Sequence, residues 1–302
     1  NQGKGKIYGY PKDFSSSALY YNKRIFEMAG TVVPKVNLDE NEFISLCKKL
    51  TKIDKEKNTI IHKAYLLPSY NDYWWVLKTG GKVYDNNKCV INNESSFRGL
   101  KWAMKLIFKD KVTFSPAERA SMGSDIMIGA GKIAMLQNGR YYYPYMKTYS
   151  RDEWGIIPNY YFKGNKPMNI MTGASGWAIS KITKNPDAVV EFLTYLINDD
   201  ANNAIAKMGY NIPPRKKVAF GKYFSMLSGN DGELNRAFIK ELENITWMPV
   251  NVYLPGFMAQ IEIGEEIEEL LSKKRMPSDQ KLLNSLKKME NRVNYLIKVN
   301  MK

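Results

Sequence analysis

An α/β protein of two lobes is what this sequence predicts, and three observations carry that expectation. The chain has 302 residues, more than one hydrophobic core comfortably fills, because cores stop growing at roughly 250–300 residues and chains then divide. Helical and strand-like periodicities alternate along it instead of falling into separate blocks. Its hydrophobic fraction of 44% is that of a folded globular chain and not of a disordered or fibrous one.

The elements follow in order. Lys6-Ile7-Tyr8 reads as a strand closed by Gly9-Tyr10-Pro11, with a polar stretch from Lys12 to Ser17 and a new apolar element from Ala18. Asn37-Leu38-Asp39-Glu40 has the Asn-x-x-Glu form of a helix start, after which Phe43, Leu46, Cys47 and Leu50 recur at i, i+3, i+4 and i+7. Ala64 to Leu67 reads as a short buried strand, and Tyr70, Tyr73, Trp74 and Trp75 form an aromatic cluster ahead of the turn at Gly80-Gly81. A helix from about Ser96 to Lys109 presents Phe97, Leu100, Met104 and Ile107 on one side. Lys132 to Leu136 reads as a strand, followed by a turn at Gln137-Asn138-Gly139. Trp154 to Pro158 is another strand, and the polar stretch Asn159 to Pro167 suits a crossing between lobes. Gly173 to Ser175 reads as a backbone-rich loop entering a strand at Trp177. One long helix is expected from Pro186, capped by Asn185, with Val189, Phe192, Leu193 and Leu196 on its apolar face and Gly209 just past its end. Phe257 to Ile297 reads as two amphipathic helices broken around Met276-Pro277.

Several functions are disfavoured by what is missing. The 45 basic residues against 30 acidic give a net charge of +15, yet the lysines are spread along the chain, so a solvated surface is expected and no nucleic-acid partner. No apolar run approaches the ~18–20 residues of a membrane span. Two cysteines and one histidine cannot fill a four-ligand zinc site; Cys47 and Cys89 read as free thiols and His62 as a surface residue. Glu265-Glu266 and Glu268-Glu269 read as the solvated face of a helix. The Gly-x-Gly-x-x-Ala run from Gly129 to Ala134 fails as a dinucleotide fingerprint, because a strand follows it where a helix is required. The expectation is therefore a chain without catalytic residues, metal or cofactor.

The positive signal is aromatic. Rings make up 13% of residues, with 20 tyrosines, and they gather among Gly, Asn and Pro at Tyr70 to Trp75, Arg140 to Tyr145 and Tyr160 to Phe162. Aromatics at strand ends tend to line clefts, and sugars offer apolar faces to stack on rings and hydroxyls for polar groups to bond. A small polar ligand, a sugar above all, is the reading. Two alternatives stay open at this point: a glycan-active hydrolase, needing two carboxylates roughly 5–9.5 Å apart, and a basic nucleic-acid module, with a salt-steep affinity.

The collinear order of Gly9-Tyr-Pro11, Ala18-Leu-Tyr-Tyr-Asn-Lys23, Phe26-Glu-Met-Ala-Gly30, Glu42-Phe43 through Thr51, Gly80-Gly81-x-x-Tyr84-Asp85, Gly131-Lys-Ile-Ala-Met135, Gly139, Gly176-Trp-Ala-Ile-Ser180, the Ala188 to Tyr195 helix, Gly209 and Pro213 resembles the family 1 extracellular solute-binding proteins, carbohydrate-binding components of ABC importers. The resemblance implies a periplasmic-binding-protein-like fold of two hinged lobes. One lobe would comprise 12–155 plus 235–302, the other the remainder of an N-terminal lobe, 1–11 plus 166–232, with hinge crossings at 156–165 and 233–234. It implies non-catalytic capture of a sugar or oligosaccharide and delivery to the membrane subunits of an ABC importer, outside the cytoplasm. The ligand-binding set expected is Tyr70, Asp72, Trp74, Arg140, Tyr141, Gly173, Ala174, Ser175 and Phe257; of these, Tyr70, Tyr141 and Gly173 to Ser175 fall on positions that touch sugar in the family. Relatives carry a half-lobe ahead of the strand leading to Gly9-Tyr10-Pro11. The expectation is that this segment, with any lipid anchor, is missing here and that apolar helix faces of the smaller lobe stand uncovered.

Overall fold

The computed structural model describes residues 9–54, 56–57, 59–69 and 73–301, so the strand expected at Lys6 to Tyr8 lies outside the described residues. The elements are β1 (Tyr10–Asn22), α1 (Lys23–Met28), α2 (Glu40–Lys49), β2 (Lys52–Asp54), β3 (Thr59–Leu66), α3 (Trp74–Leu77), β4 (Tyr84–Asp85), β5 (Lys88–Cys89), α4 (Glu94–Phe108), α5 (Pro116–Met122), α6 (Ser124–Gly129), β6 (Ile133–Gly139) and α7 (Tyr142–Tyr149). They continue as β7 (Trp154–Ile157), β8 (Asn169–Trp177), α8 (Pro186–Leu196), α9 (Asp199–Met208), α10 (Lys216–Ala219), α11 (Gly229–Glu241), β9 (Ile245–Thr246), α12 (Gly256–Ser272) and α13 (Asp279–Asn300).

The main sheet runs β2-β3-β6-β1-β8-β9, with β7 also on β1. Its organising element is β1. The half from Ser17 to Tyr21 pairs with β6, and Leu19 to Asn22 also pairs with β7 on the other edge. The half from Tyr10 to Ser16 pairs with β8, with register shifts between Pro11 and Asp13 and between Ser15 and Ser16. The polar stretch from Lys12 to Ser17, expected as a loop, is therefore strand. Neighbours on either side take its backbone groups, and Gln137 Nε2 donates to Ser17 Oγ at 2.9 Å, which offsets the cost of burying that hydroxyl.

Side-chain alternation puts a core on each face of the β1 region. Leu19, Tyr65 and Met135 point into one core, closed by α1, α2, α3, α4, α12 and α13. Ala18, Tyr20, Ile133 and Leu136 point into the other, closed by α6, α7 and α11, with Ala206, Ile212, Val218 and Phe224 packed in as well.

Local chemistry moves several expected boundaries. Helix α2 starts at Asp39 and not Asn37, because the Asp39 side chain accepts from Glu42 N while Glu42 returns a bond to Asp39 N, a closed capping box. Gln137 to Gly139 belong to β6, paired with Leu19 to Ser17, and the turn comes after them. Gly173 to Ser175, expected as a loop, form the middle of β8. The long helix expected from Pro186 is two: Asn198 accepts from Ala201 N at 2.8 Å and so begins α9, which Gly209 ends in the left-handed conformation at φ +69°. Helix α8 buries Leu193 but leaves Val190, Phe192 and Tyr195 exposed. His62, expected at the surface, is 5% exposed on β3. Gly129 ends α6 before β6 begins, so the glycine run is helix, turn, strand, the reverse of a dinucleotide fingerprint.

The C-terminal hairpin carries a further correction. Glu266, expected on a solvated face, is buried where α12 meets α13; Lys288 Nζ lies 2.6 Å from its Oε2 and Ser285 Oγ donates to its Oε1 at 2.8 Å. Lys288 and Lys281 also bind Glu269, at 3.1 and 2.9 Å. Replacing Lys288 with Met leaves a buried carboxylate with one hydroxyl donor, so Lys288→Met is expected to lower unfolding free energy by about 1–3 kcal/mol. Urea denaturation measures it, and a loss below about 0.5 kcal/mol would show that Glu266 is not held by this pair.

Candidate functional site

The candidate site is built on three adjacent strands, β6, β1 and β8. Gly139 at the end of β6 lies opposite Ser17 of β1, while Ser15, Phe14 and Asp13 of β1 lie opposite Gly173, Ala174 and Ser175 of β8. With strands roughly 4.8 Å apart, the turn carrying Tyr141 and the middle of β8 flank one short run of β1. Gly139 is required in that position, because a Cβ there would collide with the Tyr141 ring and the Ser15 hydroxyl. Tyr141 itself is 44% exposed. Gly173, Ala174 and Ser175 are exposed. Together they offer a candidate wall of ring, hydroxyl and thinly covered backbone.

The other expected residues separate. Phe257 is 63% exposed in the first turn of α12. Trp74 is 1% exposed in the first core, its ring edge-on to Trp102 at 6.2 Å. Arg140 is also buried: its Nε donates to Asn235 Oδ1 at 2.7 Å and its guanidinium lies 5.0 Å from the Tyr143 ring and 6.0 Å from that of Phe224, beneath the turn that presents Tyr141. Burial holds its pKa below the usual arginine value, with Tyr20, Asp231 and Tyr143 opposing that shift. Tyr70 and Asp72 lie outside the described residues. Aromatic clustering finds both kinds of residue and does not separate wall from foundation.

Sequence reasoning missed Asp13. It is buried on β1, with Lys12 Nζ 2.6 Å from its Oδ2. Burial alone would raise its pKa, but hydrogen bonds from Lys12, Ser175 and Asn211 outweigh that and hold it below the ordinary carboxylate value. The acid thus ties Ser175 of β8 to the segment around Asn211. A lone acid in a polar run was the available signal.

With its folded pKa depressed, Asp13 contributes stability that is present above the unfolded value of about 3.9 and is lost as pH falls through the lower folded value. Asp13→Asn should therefore flatten the fall in stability below about pH 4. Denaturant midpoints measured down that range decide it, and an unchanged slope would remove Asp13 from the account.

No described helix is long and apolar enough to cross a membrane. The chain is 26% identical over 273 residues to the maltodextrin-binding protein MdxE of Bacillus subtilis, covering 87% of this chain and 61% of that protein. It thus spans less than two thirds of that relative's length. Among solved structures, the ABC substrate-binding protein Lmo0181 of Listeria monocytogenes, in complex with cycloalternan, matches with a TM-score of 0.82 at 19% identity, over 97% of this chain and 72% of that one. UgpB of Mycobacterium tuberculosis, in complex with glycerophosphocholine, matches with a TM-score of 0.78 at 16% identity, over 99% and 73%. These likenesses show the two-lobe α/β fold of substrate-binding proteins. The family model described as bacterial extracellular solute-binding protein matches residues 1–227 of the 302, and the chain belongs to that family.

Proposed function

We propose that this chain captures a sugar or short oligosaccharide without chemical change, outside the cytoplasm, and delivers it to the membrane subunits of an ABC importer. The observation that carries this reading is the half-exposed Tyr141 ring, standing across β1 from the open backbone of Gly173 to Ser175, in a chain similar to a maltodextrin-binding protein. A ring takes the apolar face of a sugar, while peptide groups and the Ser175 hydroxyl take its hydroxyls. Phe257, Tyr70 and Asp72 complete the contact set. Arg140 supports it from within, beneath the turn that carries Tyr141, and Trp74 belongs to the first core.

In this reading the lobes are 12–155 plus 235–302 and 1–11 plus 166–232, turning about 156–165 and 233–234. Ala206, Ile212, Val218 and Phe224, which share the second core, then mark where the lobes touch. Closure about such crossings traps ligand by adding the contacts of the second wall.

A thermal-shift series against maltose, maltotetraose and glycerophosphocholine tests the class, because a ligand of the native state raises melting temperature by mass action. The sugars are expected to do so and the phosphodiester is not. Tyr141→Ala should weaken maltotetraose binding by about 1–3 kcal/mol, the scale of one buried ring. Calorimetry that finds unchanged affinity in this variant would remove the stacking role.

A further inference from the structure

Lys78 caps the C-terminal end of α3 and is 1% exposed. Buried lysines are rare unless paired with an acid, and the nearest partners of this one are neutral. Its Nζ donates to Asn159 Oδ1 at 2.8 Å and to the Tyr160 carbonyl at 3.1 Å, and lies 4.0 Å from the centre of the Tyr160 ring. Asn159 Oδ1 also accepts from Tyr160 N at 3.0 Å. Two obligatory donors on one atom identify it as the amide oxygen. Asn159 Nδ2 must then donate onward, and it does, to Asn169 Oδ1 at 2.5 Å; Asn169 Nδ2 in turn donates to Glu241 Oε2. The two asparagines are buried.

The result is a chain of hydrogen bonds with one direction. Each amide turns its oxygen toward the lysine and its nitrogen toward the glutamate, the polarity that suits an ammonium at one end and a carboxylate at the other. It links three places: the end of α3, the 158–168 connection between β7 and β8, and the end of α11, from which the chain passes to β9. Parallel pairing of Asn169 with Ile245 and Ile170 with Thr246 lies beside it.

We propose that Lys78, Asn159, Asn169 and Glu241 form a latch on the two connections, closed while the set is a lysinium–carboxylate pair and loosened when it gains or loses a proton. The grip on ligand then follows pH, a consequence that rests on the sugar-capture reading above. One added proton leaves a buried lysinium without its counter-charge, and one removed leaves a buried carboxylate without its own; each is costly in the interior. The charged and titratable groups facing the pair are few. Burial lowers Lys78 to about 7 against the attraction of Glu241, and burial raises Glu241 to about 7 against Lys78 and Lys240, with Glu243 adding to the rise. Both flanks of the closed state therefore lie near neutrality, and the pair titrates as a unit.

Amide hydrogen exchange on the whole chain, without sugar, tests the latch. Corrected for intrinsic rates, protection at Tyr160, Tyr161, Phe162 and Ile170 should peak at about pH 7 and fall roughly tenfold toward about pH 5.5 and about pH 8.5. Glu241→Gln keeps an acceptor for Asn169 but no longer titrates, and should replace the peak with a single step. A flat wild-type profile overturns the latch whether or not the variant folds, and so does the same peak in Glu241→Gln. Maltotetraose affinity of the wild-type chain at the same pH values should be weaker by roughly threefold or more at either end. Peaked exchange with pH-independent affinity overturns the link to ligand. Peaked exchange with no maltotetraose binding at any pH upholds the latch and counts against the sugar reading.

Discussion

A strand paired along both edges has no freedom left, and β1 is such a strand for its last residues while changing one partner along its length. From Ser17 to Tyr21 it is held by β6, and from Leu19 onward also by β7; before that it is held by β8. Because β7 and β8 take successive stretches of the same edge, residues 158–168 between them must leave the sheet and return. That excursion carries Asn159, Tyr160 and Phe162 into the first core, where Tyr160 stacks on Phe43 at 4.2 Å and on Trp102 at 5.3 Å. The same arrangement brings the β6 end and the middle of β8 to within one strand of each other, which is all the candidate wall requires.

Elements whose burial follows one period were legible. The faces of α2 and α4 follow from apolar spacing, the existence of α12 and α13 from their amphipathic character, and β6 and β7 from short apolar runs. Two of the misreadings share a cause: tertiary pairing replaced a local signal. Lys12 to Ser17 and Gly173 to Ser175 have turn-like composition, yet each is strand because a partner satisfies its backbone. Asn37 and Asp39 both fit a helix cap, and only the return bond from Glu42 selects Asp39. No periodicity separates Asn198, which divides α8 from α9, from an asparagine within a helix. In the site, the aromatic cluster pointed to the right region while burial sorted its members: Tyr141 stands open and Trp74 does not. Asp13 offered only the faint signal of a lone acid in a polar run, and Lys78 was invisible, because a single charged residue in a sequence carries no sign of being buried.

Charge divides in the same way. The excess of +15 is spread over exposed lysines whose ion pairs, such as Lys101 with Asp279, contribute little. The charges that matter structurally are the few withdrawn from water, each with its own compensation. Glu266 has an ammonium and a hydroxyl, and Lys63 has both oxygens of Glu118 and the Thr113 carbonyl. Asp13 has an ammonium and two neutral donors. Lys78 differs, because its counter-charge stands two amides away.

That difference bears on what a binding protein of this design needs. A contact that fixes the lobes relative to each other must be strong enough to hold one arrangement and weak enough to be exchanged when ligand arrives, since interactions of equal strength in both states shift nothing. A direct buried ion pair is too costly to break, and a purely apolar contact offers no directional alternative. Charges bridged by two asparagines fall between these limits, because the central bond joins two neutral amides and can be exchanged while Lys78 keeps Asn159 and Glu241 keeps Asn169. The exposed Tyr141 and Gly173 to Ser175 and the buried chain from Lys78 to Glu241 thus divide the two proposals between them. The first would supply affinity, and the second would set how readily the connections between β7, β8 and α11 yield to it.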